Sequence, residues 1–259
     1  MLAAALCCAS SPSTAASSSP FGNGSPFETY FDSVTVGPGV WKWRHYFDVY
    51  HKHLARFRGT DVHLAEVGIY SGGSLSMWRD YFGVSAHVIG VDIANATLAY
   101  DRNPRYGSPR IRIGDQRDDQ FWRRFREDEP RIDVLLDDGS HMLSGQNATM
   151  QAMLNHISPG GIYMCEDIHG FKNAFLPLLT NQFITARDGI MTMSHGTSQW
   201  QLRIGGVSFY PYMVVVEMLP RPRPKMLLQR HGTEWQPPCS RGQSQNCFAS
   251  LGAGGTQVK

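Results

Sequence analysis

The sequence predicts an α/β fold, a mostly parallel sheet with helices on both faces. Three observations predict it. From His63 to Gly114, strand-like and helical runs alternate as HLAEVGIY, LSMWRDYF, HVIGVDI and IRIGD, the order of a βαβ unit followed by a third strand. IDVLLDD is continuously apolar up to its two acids, as a strand covered on both faces must be. Val207 to Tyr210 and Tyr212 to Met218 are two apolar runs hinged at Pro211, which suggests an antiparallel pair at a sheet edge.

Composition suits one such core with loose ends. The chain has 259 residues, 42% of them hydrophobic, enough for a single α/β core plus a short accessory helix and tails. A net charge of +2 and no Lys/Arg run longer than two exclude an electrostatic case for nucleic acid. No apolar stretch approaches the roughly 20 residues that span a bilayer. Cys7, Cys8, Cys165, Cys239 and Cys247 form no C-x-x-C pattern, so reduced thiols are expected. The sequence leaves a homo-oligomer open.

In chain order, residues 1–26 read as a disordered, Ala/Ser/Pro-rich leader with no Lys or Arg before Lys42. Without a basic n-region it is a poor secretory signal, and its composition only partly resembles a transit peptide. A cytoplasmic location is expected, with organelle targeting or secretion through the leader as the alternative. Two glycosylation sequons, at Asn95 and Asn147, fall inside the ligand-binding framework, which argues against secretion. Residues 27–59 form an N-terminal flap. In it Trp43, Tyr46, Phe47, Tyr50, Leu54 and Phe57 recur at helical spacing and Gly59 ends the helix, while His45, His51 and His53 fall off the stripe and are expected in solvent. The main domain spans 60–218. After the βαβ unit, Asp118-Asp119 start a helix with Phe121, Trp122 and Phe125 inward and arginines in its last turns. A strand at IDVLLDD, a helix from Gln146 to His156, a strand from Gly160 to Asp167 and a helix from Asn173 to Ala186 follow. Residues 219–259 are a Pro/Gly/Ser-rich tail, in which His231 to Pro238 reads only as an aromatic-anchored loop.

The βαβ unit carries the first chemistry. The first strand ends in Glu66-Val67-Gly68, the turn Ser71-Gly72-Gly73-Ser74 opens the helix, and Asp92 ends the second strand. Glycines let backbone approach a ligand there, and a strand-end carboxylate catches ribose hydroxyls. The spacing is a looser E-x-G-x-x-x-G than the dinucleotide motif, suited to a ligand without a pyrophosphate, and S-adenosylmethionine (SAM) is the obvious candidate. Glu66, Gly68, Ser71, Gly72, Gly73 and Asp92 are its expected contacts. Asp115 is expected on the adenine side, with a turn-forming role nearly as favoured.

A second constellation lies at the ends of the fourth and fifth strands, which should be neighbours. Asp138 follows one; Glu166 and Asp167 follow the other. Three converging carboxylates repel one another unless a cation compensates them, and hard oxygen ligands favour Mg²⁺, or Mn²⁺, over zinc. His141, three residues past Asp138, can face a substrate hydroxyl and accept its proton near neutrality. Singly, each acid is more often a helix cap or a solvated loop residue; jointly, beside the glycine turn, they favour a site.

Five βα units and a terminal pair describe the seven-stranded, Rossmann-like class I methyltransferase fold. Within it AEVGIYSGGSLSMW, GVDI, LLDDGSH and PGGIYMCEDIHG, over about Trp41 to Met218, resemble metal-dependent macrolide-sugar O-methyltransferases of the mycinamicin/macrocin type. That grouping includes relatives labelled cephalosporin hydroxylase. The resemblance implies a SAM- and Mg²⁺-dependent O-methyltransferase acting on a hydroxyl of a sugar or small natural product. It assigns the metal to Asp138, Glu166 and Asp167, with His141 as general base. Two alternatives stay open: a non-haem iron hydroxylase using His141, His169 and Asp138, and a catalytically silent SAM-binding protein.

Overall fold

The computed structural model describes residues 24–168, 174–184, 202–224 and 231. The leader before residue 24, His169, and the tail beyond 224 apart from His231 lie outside the described residues. The chain divides into two compact units, Met1–Lys225 and Met226–Lys259, and the described structure is almost wholly that of the first.

Seven strands form one sheet: β1 (His63–Val67), β2 (His87–Asp92), β3 (Arg110–Ile113), β4 (Ile132–Asp137), β5 (Ile157–Cys165), β6 (Ile204–Tyr210) and β7 (Met213–Met218). Their order is β3-β2-β1-β4-β5-β7-β6. The first five are parallel, and β7 runs antiparallel to both β5 and β6. The terminal pair is therefore antiparallel as the sequence suggests. Only β6 is the edge; β7 is sandwiched, which explains why Met213 to Val216 are fully apolar and buried.

Side chains alternate between two cores, one on each sheet face. Leu64, Val134, Leu136, Ile162 and Met164 join the layer under α1 (Pro26–Ser33), α2 (Arg44–Leu54) and α3 (Gly73–Phe82). Ala65, Leu135, Tyr163 and Cys165 join the layer under α4 (Asp119–Asp128), α5 (Leu143–Met153) and α6 (Phe175–Ile184). The helices form where the sequence places them, within a few residues. Asp118 caps α4 by accepting from the Gln120 amide at 2.8 Å, and Phe121, Trp122 and Phe125 are buried as expected.

Three details differ from the sequence reading. Helix α1 uses Pro26 in its first turn and Ser25 in a full capping box with Glu28, so two residues assigned to the leader belong to the fold. Helix α2 stops at Leu54 and tightens into a 3₁₀ turn before Gly59 (φ 71°). His53 is buried rather than solvated. Its Nε2 sits 2.8 Å from the Tyr210 hydroxyl and its Nδ1 3.5 Å from Glu217, both on the β6–β7 pair, which the helical period alone does not reveal.

Candidate functional site

A cavity of about 880 Å³ opens at the carboxyl ends of β1, β2, β4 and β5. This is where ligands bind in open α/β sheets, and the size suits a nucleoside-sized molecule with an acceptor. One wall is the turn after β1. Gly68 has φ 83°, and a β-carbon there would collide with the Asp138 carbonyl, so only glycine lets the two strand ends approach. Asp92 braces this turn. Its Oδ2 accepts from the amides of Ile69 (3.1 Å) and Tyr70 (3.3 Å), and its Oδ1 from Ala94 (2.8 Å). Those bonds leave acceptor capacity on a carboxylate that lines the cavity.

Not every expected contact faces the space. Gly68, Ser71, Asp92 and Asp115 line it; Glu66, Gly72 and Gly73 do not. Glu66 is fully buried, with Oε2 accepting from the Ser74 hydroxyl (2.6 Å) and the Trp78 indole (3.0 Å). Gly72 makes room for Tyr106 and Tyr100, and Gly73 for the carbonyls of Gly39 and Pro38. These three shape the turn from behind. Asp115 is gripped by Arg117, with Nη2 2.6 Å from Oδ2, which holds its carboxyl below the ordinary range.

The opposite wall is the acidic one. Ligand atoms of Asp138, His141 and Asp167 all lie within 4.8 Å of one another, with His141 Nε2 3.9 Å from Asp167 Oδ2. His141 (φ 53°) and Asp167 (φ 50°) both adopt left-handed backbone, two of the six non-glycine residues that do so among the described residues. Glu166, expected in the same set, is not in this group. It is fully buried, its Oε2 accepts from Lys42 Nζ at 2.9 Å, and its Oε1 accepts from the Tyr50 hydroxyl.

Lys42 is the cation that sequence reasoning missed. Its side chain is 3% exposed, and Nζ also donates to Asp138 Oδ2 (2.5 Å) and Glu66 Oε1 (3.3 Å). Burial pulls the ammonium down, yet Asp138, Glu166, Tyr50 and Glu66 together raise it well above its ordinary value. Burial likewise raises Glu66 and Glu166, and Lys42 opposes that rise. The only sequence signal is a lone lysine between Trp41 and Trp43, ahead of an apolar stripe. Asp137 points away from the cavity onto Gln116 Nε2 (3.1 Å), and burial pushes it up to about 6.

No family model matches the chain. Over 141 residues it is 33% identical to the 8-demethyl-8-(2-methoxy-alpha-L-rhamnosyl)-tetracenomycin-C 3'-O-methyltransferase of Streptomyces olivaceus, covering 50% of this chain and 33% of that protein. It is 36% identical over 125 residues to the L-olivosyl-oleandolide 3-O-methyltransferase of Streptomyces antibioticus (46% and 31%). It is 31% identical over 128 residues to the mycinamicin VI 2''-O-methyltransferase of Micromonospora griseorubida (46% and 30%). Among solved structures it resembles the MycE methyltransferase of the mycinamycin pathway in complex with Mg and SAH, with a TM-score of 0.60 and 24% identity over 76% of this chain and 56% of that one. The fold is the class I methyltransferase fold. The resemblance read from LLDDGSH and PGGIYMCEDIHG is borne out in the relatives matched. The chain spans about a third of the length of those curated relatives. No helix among the described residues is long and apolar enough to cross a membrane.

Proposed function

We propose that this protein is a SAM-dependent, Mg²⁺-dependent O-methyltransferase acting on a hydroxyl of a sugar carried by a small natural product. The observation that carries this reading is the grouping of Asp138, His141 and Asp167 beside a cavity walled by the Gly68 turn and Asp92. The relatives' names support it: they methylate sugar hydroxyls of tetracenomycin, oleandolide and mycinamicin derivatives.

The residues fit both groups. The Gly68–Ser71 turn would take the methionine end of SAM, and Asp92 its ribose. Asp138 and Asp167 would hold Mg²⁺, with Mn²⁺ as a substitute, as an oxygen donor set favours. When bound, Mg²⁺ supplies a Lewis acid that lowers the pKa of a hydroxyl, and SAM supplies an electrophilic methyl. His141 Nε2 would accept the acceptor hydroxyl's proton as the new C–O bond forms and the C–S bond breaks, its electron pair remaining on sulfur. His141 Nε2 and Asp167 Oδ2 lie 3.9 Å apart, close enough for one acceptor hydroxyl to meet both groups.

An iron-oxygenase reading has no use for the Gly68 turn or for Asp92, and its third ligand, His169, lies outside the described residues. The discriminating experiment supplies methyl-labelled SAM and a panel of rhamnosylated aromatic acceptors. Label should appear in the sugar with Mg²⁺ and disappear on exhaustive chelation. Transfer that survives chelation, or activity restored better by iron, would overturn the reading.

A further inference from the structure

One short segment supplies the hydrogen-bond donors to all three acids at the ends of β4 and β5. Lys42 donates to Asp138 and Glu166. Trp43 Nε1 donates to Asp167 Oδ1 at 3.1 Å. The Tyr46 hydroxyl donates to that same oxygen at 2.8 Å and accepts from the Asp167 amide at 3.2 Å. The Tyr50 hydroxyl donates to Glu166 Oε1. Tyr46 and Tyr50 share one face of α2 at i and i+4, and Trp43 is the extended residue that caps its start, so the placement of this one helix start sets the bonds to Asp167 and the Tyr50 bond to Glu166.

Packing alone does not account for this choice of residues. Phe27, Phe31 and Phe47 fill the neighbouring aromatic layer without a polar tip, and Phe27 lies against Tyr50 at 5.3 Å between ring centroids. At 46 and 50 the chain places hydroxyls where plain rings would also fill space. On Asp167 the result is directional. Both side-chain donors take Oδ1, and Oδ2 is left facing His141. Hydrogen bonds to the carboxylate oxygen that a metal does not use are how outer-shell groups fix a ligand's orientation.

We propose that Trp43 and Tyr46 are positioning residues of the cation site, and that the flap aims Asp167 rather than only covering the sheet. The inference rests on the proposed function, because it presumes a divalent cation at Asp138 and Asp167. It adds that the cation's affinity is set partly from outside the methyltransferase core.

The test is Mn²⁺ affinity of the full chain, without SAM or acceptor, read by calorimetry and by the free-Mn²⁺ spin signal. Trp43→Phe and Tyr46→Phe keep the ring and remove the donor, and each should weaken Mn²⁺ binding about tenfold or more. Arg44→Gln, on the same helix but paired outward with Asp32 at 2.9 Å, should bind as wild type does. Trp43 is 51% exposed, so its variant remains informative if Tyr46→Phe folds poorly. Tryptophan emission should respond to Mg²⁺ in the wild type and lose that response in Trp43→Phe. Wild-type Mn²⁺ affinity in both phenylalanine variants would overturn the inference while leaving the cation site standing. A wild-type protein that binds SAM but no Mn²⁺ would instead refute the cation reading, and this inference with it.

Discussion

Lys42 Nζ lies 2.5 Å from Asp138 Oδ2, joining the N-terminal flap to the end of β4 across 96 residues of chain. The contact offsets part of the negative charge on the acidic wall. Glu66, Asp138 and Glu166 share one buried ammonium, and Asp138 also groups with His141 and Asp167, where the proposed Mg²⁺ would bind.

Lys42→Met keeps most of the side-chain volume and removes the charge. Breaking a buried ion pair from one side costs about 3–5 kcal/mol, because the remaining charges stay desolvated and unpaired. Urea denaturation at neutral pH should show a loss of that order. A loss under about 1 kcal/mol would mean that the carboxylates are solvated or protonated without cost, as at an exposed pair.

Gly68→Ala should be damaging out of proportion to one methyl group. Left-handed backbone costs a non-glycine residue roughly 1–2 kcal/mol, and the new β-carbon also strikes the Asp138 carbonyl. Thermal denaturation should register the destabilisation, and SAM affinity should fall with it because β1 and β4 must move apart at the cavity floor. Retention of both would show that the turn is looser than its geometry implies.

The pH dependence of stability should carry the mark of His53. Burial pulls its imidazole below the ordinary value, and Glu217 only partly opposes this. A base held low in the folded state binds its proton more readily when unfolded. Stability from this group is therefore complete above about pH 6.5 and is lost as pH falls below it. The urea midpoint should rise between pH 5.5 and 7.5, and less steeply in His53→Gln. An identical slope in the variant would assign the effect to other groups.

His141→Ala should separate the base from the ligands. Turnover should fall about 10²–10⁴-fold, the usual size of general-base catalysis, while Mn²⁺ affinity stays near wild type. Asp167→Asn should do the reverse first, weakening Mn²⁺ binding directly. Loss of Mn²⁺ binding in His141→Ala would make the imidazole a ligand instead.

Much of this was legible in the sequence because its signals are local. The β1 turn, Asp92, the DDGSH strand end and Glu166-Asp167 each sit within a few residues of the structure that displays them, and parallel β4 and β5 bring the last two together. What the sequence hid is long-range. Lys42 meets Glu166 across 124 residues, and Tyr46 and Tyr50 read as an apolar stripe because helical period reports the face, not where a hydroxyl points. Glu66 is buried behind the turn for a related reason. A motif position marks the turn, but the side chain there is spent on Ser74, Trp78 and Lys42 behind it.

The proposed function places SAM in the cavity over the Gly68 turn, held through Asp92. Calorimetric titration of SAM into the wild type and Asp92→Ala, both in Mg²⁺, tests it without knowledge of the acceptor. Saturable binding is expected for the wild type, weakened in the variant by on the order of 1.5–3 kcal/mol, about 10- to 150-fold. No binding of SAM, equal affinity in Asp92→Ala, or a preference for NAD would contradict it.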